Sequence, residues 1–282
     1  MLNAATKDRE IKICCATFYQ SDVVCMLFGD VFHPGGLDLT RHLGEALKLG
    51  PGDHVLDVAC GRGASAVHLA EGLGCHVTGL DYGPENVAAA QAHAADKGVA
   101  HLTGFRQGDA EGLPFDDGTF DAVVSECSFC TFPNKATAAA EMVRVLNRGG
   151  RLGLTDMTVN GPLPDDVQGL LAWVACVAGA GTPEDYVATL REAGLGNFVI
   201  EDQRGALLDM VNDVRRKLMG VELAAGLGKL DGSTEASTEL CRSLAKVLGE
   251  LDLGEGKRLA RRAIELIENG VVGYTLIAAR KE

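Results

Sequence analysis

Basic residues are scarce in this chain: 26 lysines and arginines stand against 39 aspartates and glutamates, a net charge of −13 over 282 residues. That balance argues against a nucleic-acid partner, because phosphates would be repelled. Long apolar runs are missing too. No stretch of about 18 apolar residues occurs, so no membrane span is expected. The first residues, Met1 to Glu10, lack the apolar core of an export signal. A cytoplasmic, reducing setting is the expectation, with the nine cysteines as free thiols. No internal repeat and no low-complexity tract is present. No second Cys-x-x-Cys accompanies Cys127 and Cys130, which argues against a four-cysteine zinc site.

What is present is ordinary globular composition, 46% hydrophobic and 23% charged. The length allows a sizeable core in one or two domains. Strands and helices alternate: Val55–Ala59, Ala64–Leu73, His76–Leu80, Pro84–Lys97, Thr103–Gln107, Ala122–Glu126, Lys135–Leu146 and Arg151–Asp156. Alternation with short links implies a parallel sheet covered on both faces. Before it, Lys12 to Phe32 reads as helical, His33-Pro34-Gly35-Gly36 as a break, and Leu39 to Leu47 as a helix. After it come helices over Leu163–Gly179 and Pro183–Ala193, a sixth strand Phe198–Asp202 and a final strand Val272–Ala279. The helical stretch Gly205–Asn269 between the last two is far longer than a usual connection. It is read as an insertion that caps the site or forms a homodimer surface.

The most telling stretch is Val55-Leu56-Asp57-Val58-Ala59-Cys60-Gly61-Arg62-Gly63. An apolar, β-branched run carrying one acid breaks into two glycines one residue apart, and a helix follows. Such a turn lets the backbone approach a ligand closely. The second strand ends in Asp81, where an acid can take both hydroxyls of a ribose. Gly61-x-Gly63-x-x-Ala66 alone also fits a dinucleotide fold, and most isolated pairs of this kind are plain turns. Asp57, however, would repel a pyrophosphate and attract an amino group or a sulfonium. After the third strand comes Gly108-Asp109-Ala110-Glu111-Gly112-Leu113-Pro114-Phe115, with Asp109 placed to accept from an adenine amino group. Arg144 to Leu152 ends a helix, passes a glycine pair and starts a fifth strand.

As a set, over about Leu47 to Asp156, these motifs resemble the class I S-adenosylmethionine (SAM)-dependent methyltransferases. The resemblance implies an α/β, Rossmann-like, seven-stranded sheet with the helical insertion before its last, antiparallel strand. It implies SAM as cofactor, with Asp57, Gly61 and Gly63 at its aminoacyl end, Asp81 at the ribose, Asp109 with Ala110 at the adenine, and Tyr82 among the cofactor-binding residues. The chain then divides into an N-terminal helical lid over 1–45, a SAM-binding domain over 46–204, a cap over 205–270 and the final strand over 271–282. Tyr19, on the lid, is expected to touch the cofactor.

Cysteines sharpen the reading. Cys60, Cys75 and Cys241 read as small buried hydrophobes. Cys127 follows the fourth strand, beside the methyl donor. With Cys127, the pattern Trp173-x-x-Cys176-x-x-Gly179-Ala180 and then Glu184-Asp185-Tyr186 look like arsenite methyltransferases, whose matching cysteines hold trivalent arsenic next to SAM. Thiolates select this soft acceptor and leave its lone pair free, so in-line positioning is the main requirement. Cys130, or Cys14, Cys15 or Cys25 on the lid, would supply a third ligand. Glu126 departs from the pattern, since a carboxylate disfavours the neighbouring thiolate. It suits a general base for an oxygen or nitrogen acceptor instead, as would His33. Methylation of a small organic metabolite is therefore the alternative, and a non-catalytic SAM- or metalloid-binding protein a third reading.

Overall fold

The computed structural model describes residues 12, 31–164, 177, 179–226 and 253–282. Helix α1 (Gly36–Ala46) starts behind Gly35, whose φ of 80° places the helix N-cap in the left-handed region. Leu39 and Leu43, one turn apart, with Leu47 one further turn on, form its buried stripe. That stripe lies on the sheet at Gly153. A Cβ there would stand 2.7 Å from Leu43 Cδ1 and 2.8 Å from Leu47 Cδ1, so the glycine admits the helix.

Strand β1 (His54–Val58) leads through the glycine turn into α2 (Ala64–Leu73). Next come β2 (His76–Asp81), α3 (Pro84–Asp96), β3 (Thr103–Gln107) and β4 (Phe120–Glu126). A 3-10 turn over Phe129–Thr131, helix α4 (Lys135–Val145) and β5 (Leu146–Val159) follow. Helix α5 (Pro183–Glu192), β6 (Leu195–Asp202), α6 (Arg204–Gly226), α7 (Leu253–Glu268) and β7 (Val272–Lys281) complete the order.

The strands form one seven-stranded sheet in the order β3-β2-β1-β4-β5-β7-β6. All neighbours are parallel except β7, which is antiparallel to both β5 and β6. Val55, Leu56 and Val58 of β1 and Val123 and Val124 of β4 are wholly inaccessible, as expected of parallel strands covered on both faces. The strand order reverses between β1 and β4, which opens a crevice at their carboxyl ends.

The expected seven-stranded architecture and the helical insertion, as α6 and α7, are both present. One local expectation fails. Gly149 and Gly150 do not separate a helix from a strand; they sit inside β5. The register passes from Phe120 opposite Leu146 to Ala122 opposite Arg151, so the glycines form an irregularity that takes up the extra residues, with Gly149 at φ 73°. The expected helices over Lys12–Phe32 and Leu163–Gly179 fall almost entirely outside the described residues. No described helix is long and apolar enough to cross a membrane.

Candidate functional site

A cavity opens at the reversal point. β1 delivers Asp57, and the turn behind it Ala59, Gly61 and Arg62. Gly61 has φ 53° and open space where a Cβ would stand, so the backbone itself forms the wall. Gly63 does not join it. A Cβ on Gly63 would lie 2.7 Å from the Ala90 Cβ, so this glycine serves the packing of α2 against α3. Ala59 (φ 60°) and Cys127 (φ 52°), which directly follow β1 and β4, are non-glycine residues in the left-handed region. Both line the cavity, and strained backbone of this kind gathers at functional sites.

Asp81 ends β2 with each oxygen engaged. The Gly61 N–H donates to its Oδ2 at 2.8 Å, the Gly83 N–H to its Oδ1 at 2.8 Å and the Asn86 amide to Oδ1 at 3.0 Å. The carboxylate therefore ties the glycine turn to the start of α3, and Tyr82 beside it lines the same wall. Asp57 is different. It is 2% exposed, and its Oδ2 has no hydrogen-bond partner among the described residues. Burial above all, then the charges of Glu126 and Asp81, pushes its carboxyl well above the usual range.

Asp109 and Ala110 line the far end. The Asp109 carboxylate is already taken, however. Lys12 donates to both its oxygens, at 3.0 and 2.8 Å, and to Glu111 at 2.8 Å. Burial pulls the Lys12 ammonium down, but the two carboxylates outweigh it and its pKa stands above the ordinary value. Sequence reasoning did not single out Lys12, because a lysine in a helical run carries no motif.

The other end of the cavity holds an acid–histidine pair. His33 Nε2 lies 3.7 Å from Glu126 Oε2, with side chains 7% and 4% exposed. Thr40, on α1, donates to Glu126 Oε2 at 2.9 Å, and Thr155, on β5, to Oε1 at 3.3 Å. His33 Nδ1 lies 3.3 Å from the Pro34 carbonyl, which can only accept, so this contact puts the neutral ring's proton on Nδ1. The Nε2 lone pair then faces the Thr40 and Ser65 hydroxyls at 3.3 and 3.4 Å. His33 is thus far more than the break residue its Pro-Gly-Gly context suggested.

Cys127 lines the cavity beside Glu126 and donates its N–H to the Thr155 carbonyl at 2.7 Å. Cys130 does not reach the lining: it is 1% exposed, and its N–H donates to Asp156 Oδ2. Tyr19, Cys14, Cys15, Cys25, Trp173, Cys176 and Cys241 lie outside the described residues. Among the described residues, no group of three or more His, Cys, Asp or Glu could hold a metal ion. Cys60 and Cys75 are buried as expected. Burial above all pushes the Cys60 thiol well up, and it moves Cys75 to about 11.

A family described as a methyltransferase domain matches residues 56–154. A sarcosine/dimethylglycine N-methyltransferase of Halorhodospira halochloris is 33% identical over 67% of this chain and 66% of its own length. A 27-O-demethylrifamycin SV methyltransferase of Amycolatopsis mediterranei is 32% identical over 64% of this chain and 72% of its own. An arsenite methyltransferase of Halobacterium salinarum is 37% identical over 52% of this chain, but that match spans only 38% of the relative. Among solved structures, phosphoethanolamine N-methyltransferase 2 of Haemonchus contortus, in complex with SAM, superposes with a TM-score of 0.75 at 16% identity, over 96% of this chain and 60% of that one.

Proposed function

This chain belongs to the class I SAM-dependent methyltransferases, and from that premise we propose that it methylates a small organic acceptor through its His33–Glu126 pair. The cofactor is SAM, and the site fits it on one observation of the chain itself. Asp57 Oδ2 is buried without a partner among the described residues, and a buried carboxylate needs a donor. The ammonium of an amino acid offers three. Gly61 would flank that aminoacyl end, Asp81 and Tyr82 would meet the ribose, and Ala110 the adenine. When bound, SAM supplies an electrophilic methyl carried on a sulfonium.

The observation that carries the proposal is the His33–Glu126 contact inside the cavity wall. The Pro34 carbonyl holds a proton on Nδ1, which leaves Nε2 as the base. An acceptor hydroxyl or amine gives its proton to Nε2 as its oxygen or nitrogen takes the methyl. The imidazolium so formed lies beside Glu126, whose two oxygens Thr40 and Thr155 hold in place. A positioned base of this kind contributes roughly 10²–10⁴-fold.

A second reading keeps arsenite as acceptor. Cys127 on the cavity wall and the likeness to an arsenite methyltransferase support it. It needs Cys176 as partner thiolate, and Glu126 beside Cys127 works against the thiolate form. Labelled SAM offered with a small phenol, a small secondary amine, and arsenite plus thiol tests both. His33→Gln and Glu126→Gln should each lower kcat on the organic acceptor roughly 10²-fold or more, with calorimetric SAM affinity unchanged. Arsenite methylation that is lost in Cys127→Ser and kept in His33→Gln would reverse the order of the two readings.

A further inference from the structure

Glu126, Thr155 and Tyr274 stand on three adjacent strands. Glu126 is opposite Thr155 in the parallel β4–β5 pair, and Tyr274 is opposite Met157 in the antiparallel β5–β7 pair. Side chains of a strand alternate between faces, so Thr155 and Met157 share one face, and their cross-strand partners Glu126 and Tyr274 join them there. The Tyr274 hydroxyl shares its one proton between Thr155 Oγ1, at 3.1 Å, and the Thr155 carbonyl, at 3.2 Å. The Thr155 hydroxyl, already accepting, turns its own proton to Glu126 Oε1 at 3.3 Å. The same carbonyl accepts from Cys127 N–H, which follows Glu126 at φ 52°.

We propose that Thr155 and Tyr274 are positioning residues that fix the Glu126 carboxylate against His33. The inference rests on the His33–Glu126 reading above and extends it to two strands that contribute no other group to the pair. Tyr274 is wholly inaccessible and does not line the cavity, so it touches neither acceptor nor cofactor directly. A buried aromatic ring needs no hydroxyl to fill its space; the hydroxyl is there for the bond it makes. Burial first, then the charges of Cys127, Glu126 and Asp156, pushes the phenol well above its ordinary range, so Tyr274 stays a donor. Among the described residues, the ionisable groups beside Glu126 include His33, Asp57, Tyr274 and the neighbouring Cys127. Of these, Tyr274 reaches it through a hydrogen-bonded hydroxyl. With Thr155 on one oxygen and Thr40 on the other, the carboxylate cannot swing away from the imidazole.

The test reads the imidazole nitrogens of His33 by NMR in the full chain at one fixed pH, assigned through His33→Gln. Glu126→Gln should shift those resonances. Tyr274→Phe and Thr155→Val should shift them in the same direction, and Thr155→Ser, which keeps the hydroxyl, should restore the wild-type spectrum. In a Glu126→Gln background, Tyr274→Phe should add no further shift, because both changes act through one carboxylate. Wild-type His33 resonances in Tyr274→Phe and Thr155→Val, with a shift in Glu126→Gln, would overturn the brace alone. Unchanged resonances in Glu126→Gln would overturn the pair, and the brace with it. If Tyr274→Phe does not fold, the Thr155→Val and Thr155→Ser comparison decides.

Discussion

Asp57 lies on the cavity wall with only 2% of its surface exposed, beside two further acids. Its folded-state carboxyl titrates well above 3.8, so above that pH the folded state holds a proton that the unfolded chain has released. Stability of the SAM-free protein should therefore fall as pH climbs from about 3.8 through the raised value. Asp57→Asn should remove that slope. It should raise SAM-free stability at neutral pH by about 1–3 kcal/mol and weaken SAM binding by a similar amount, as one charge-assisted hydrogen bond is lost. Melting curves against pH and calorimetric titration with SAM check the two halves. Equal melting of both proteins at neutral pH would show that Asp57 is not strained. The strand-end acids were legible in the sequence because each is set by local chemistry: an apolar run, an acid, then glycines. The brace was not legible. Thr155 stands 29 residues from Glu126 and Tyr274 119 residues from Thr155, and only sheet register brings them together. Likewise, nothing local to Lys12 announces a contact 97 residues away with Asp109.

At the scale of elements, the alternation of strand and helix carried nearly all of the sheet. Burial on both faces makes each central strand a plain apolar run, which a sequence displays openly. Boundaries were less legible where tertiary pairing decides them. β5 runs from Leu146 to Val159, and β7 pairs it over Arg151–Val159. The glycines inside β5, which read as a helix stop, are an irregularity imposed by β4. Gly153 has a different task, since α1 rests on it through Leu43 and Leu47. Gly153→Val should lift α1 from the sheet and cost about 1–3 kcal/mol by overpacking, read by urea denaturation. It should also weaken the Thr40 bond to Glu126, because Thr40 rides on the same helix. Loss of stability without any change at His33 would separate the two effects. At the start of α5, a capping box links Thr182 and Asp185: each side chain accepts from the other's N–H, at 3.1 and 2.9 Å. Thr182→Ala should cost about 1 kcal/mol, visible as a lower melting temperature with SAM affinity unchanged.

Across the whole molecule, the sheet has two outer strands, β3 and β6, each held by a single neighbour. β6 stands at the edge and pairs with β7 alone, while β7 also pairs with β5 over nine residue positions from Arg151–Arg280 to Val159–Val272. Any excursion that frees β7 therefore frees β6, but β6 can peel off by itself. Amide hydrogens of β6 should exchange with solvent deuterium at least as fast as those of β7, and never outlast them. Slower exchange in β6 than in β7 would contradict the strand order. During refolding, the sheet closes only once β7 has docked on β5, alone or already paired with β6. Until it does, β5 offers an open row of peptide groups to other chains, and crowded refolding should lose protein to aggregates through that edge.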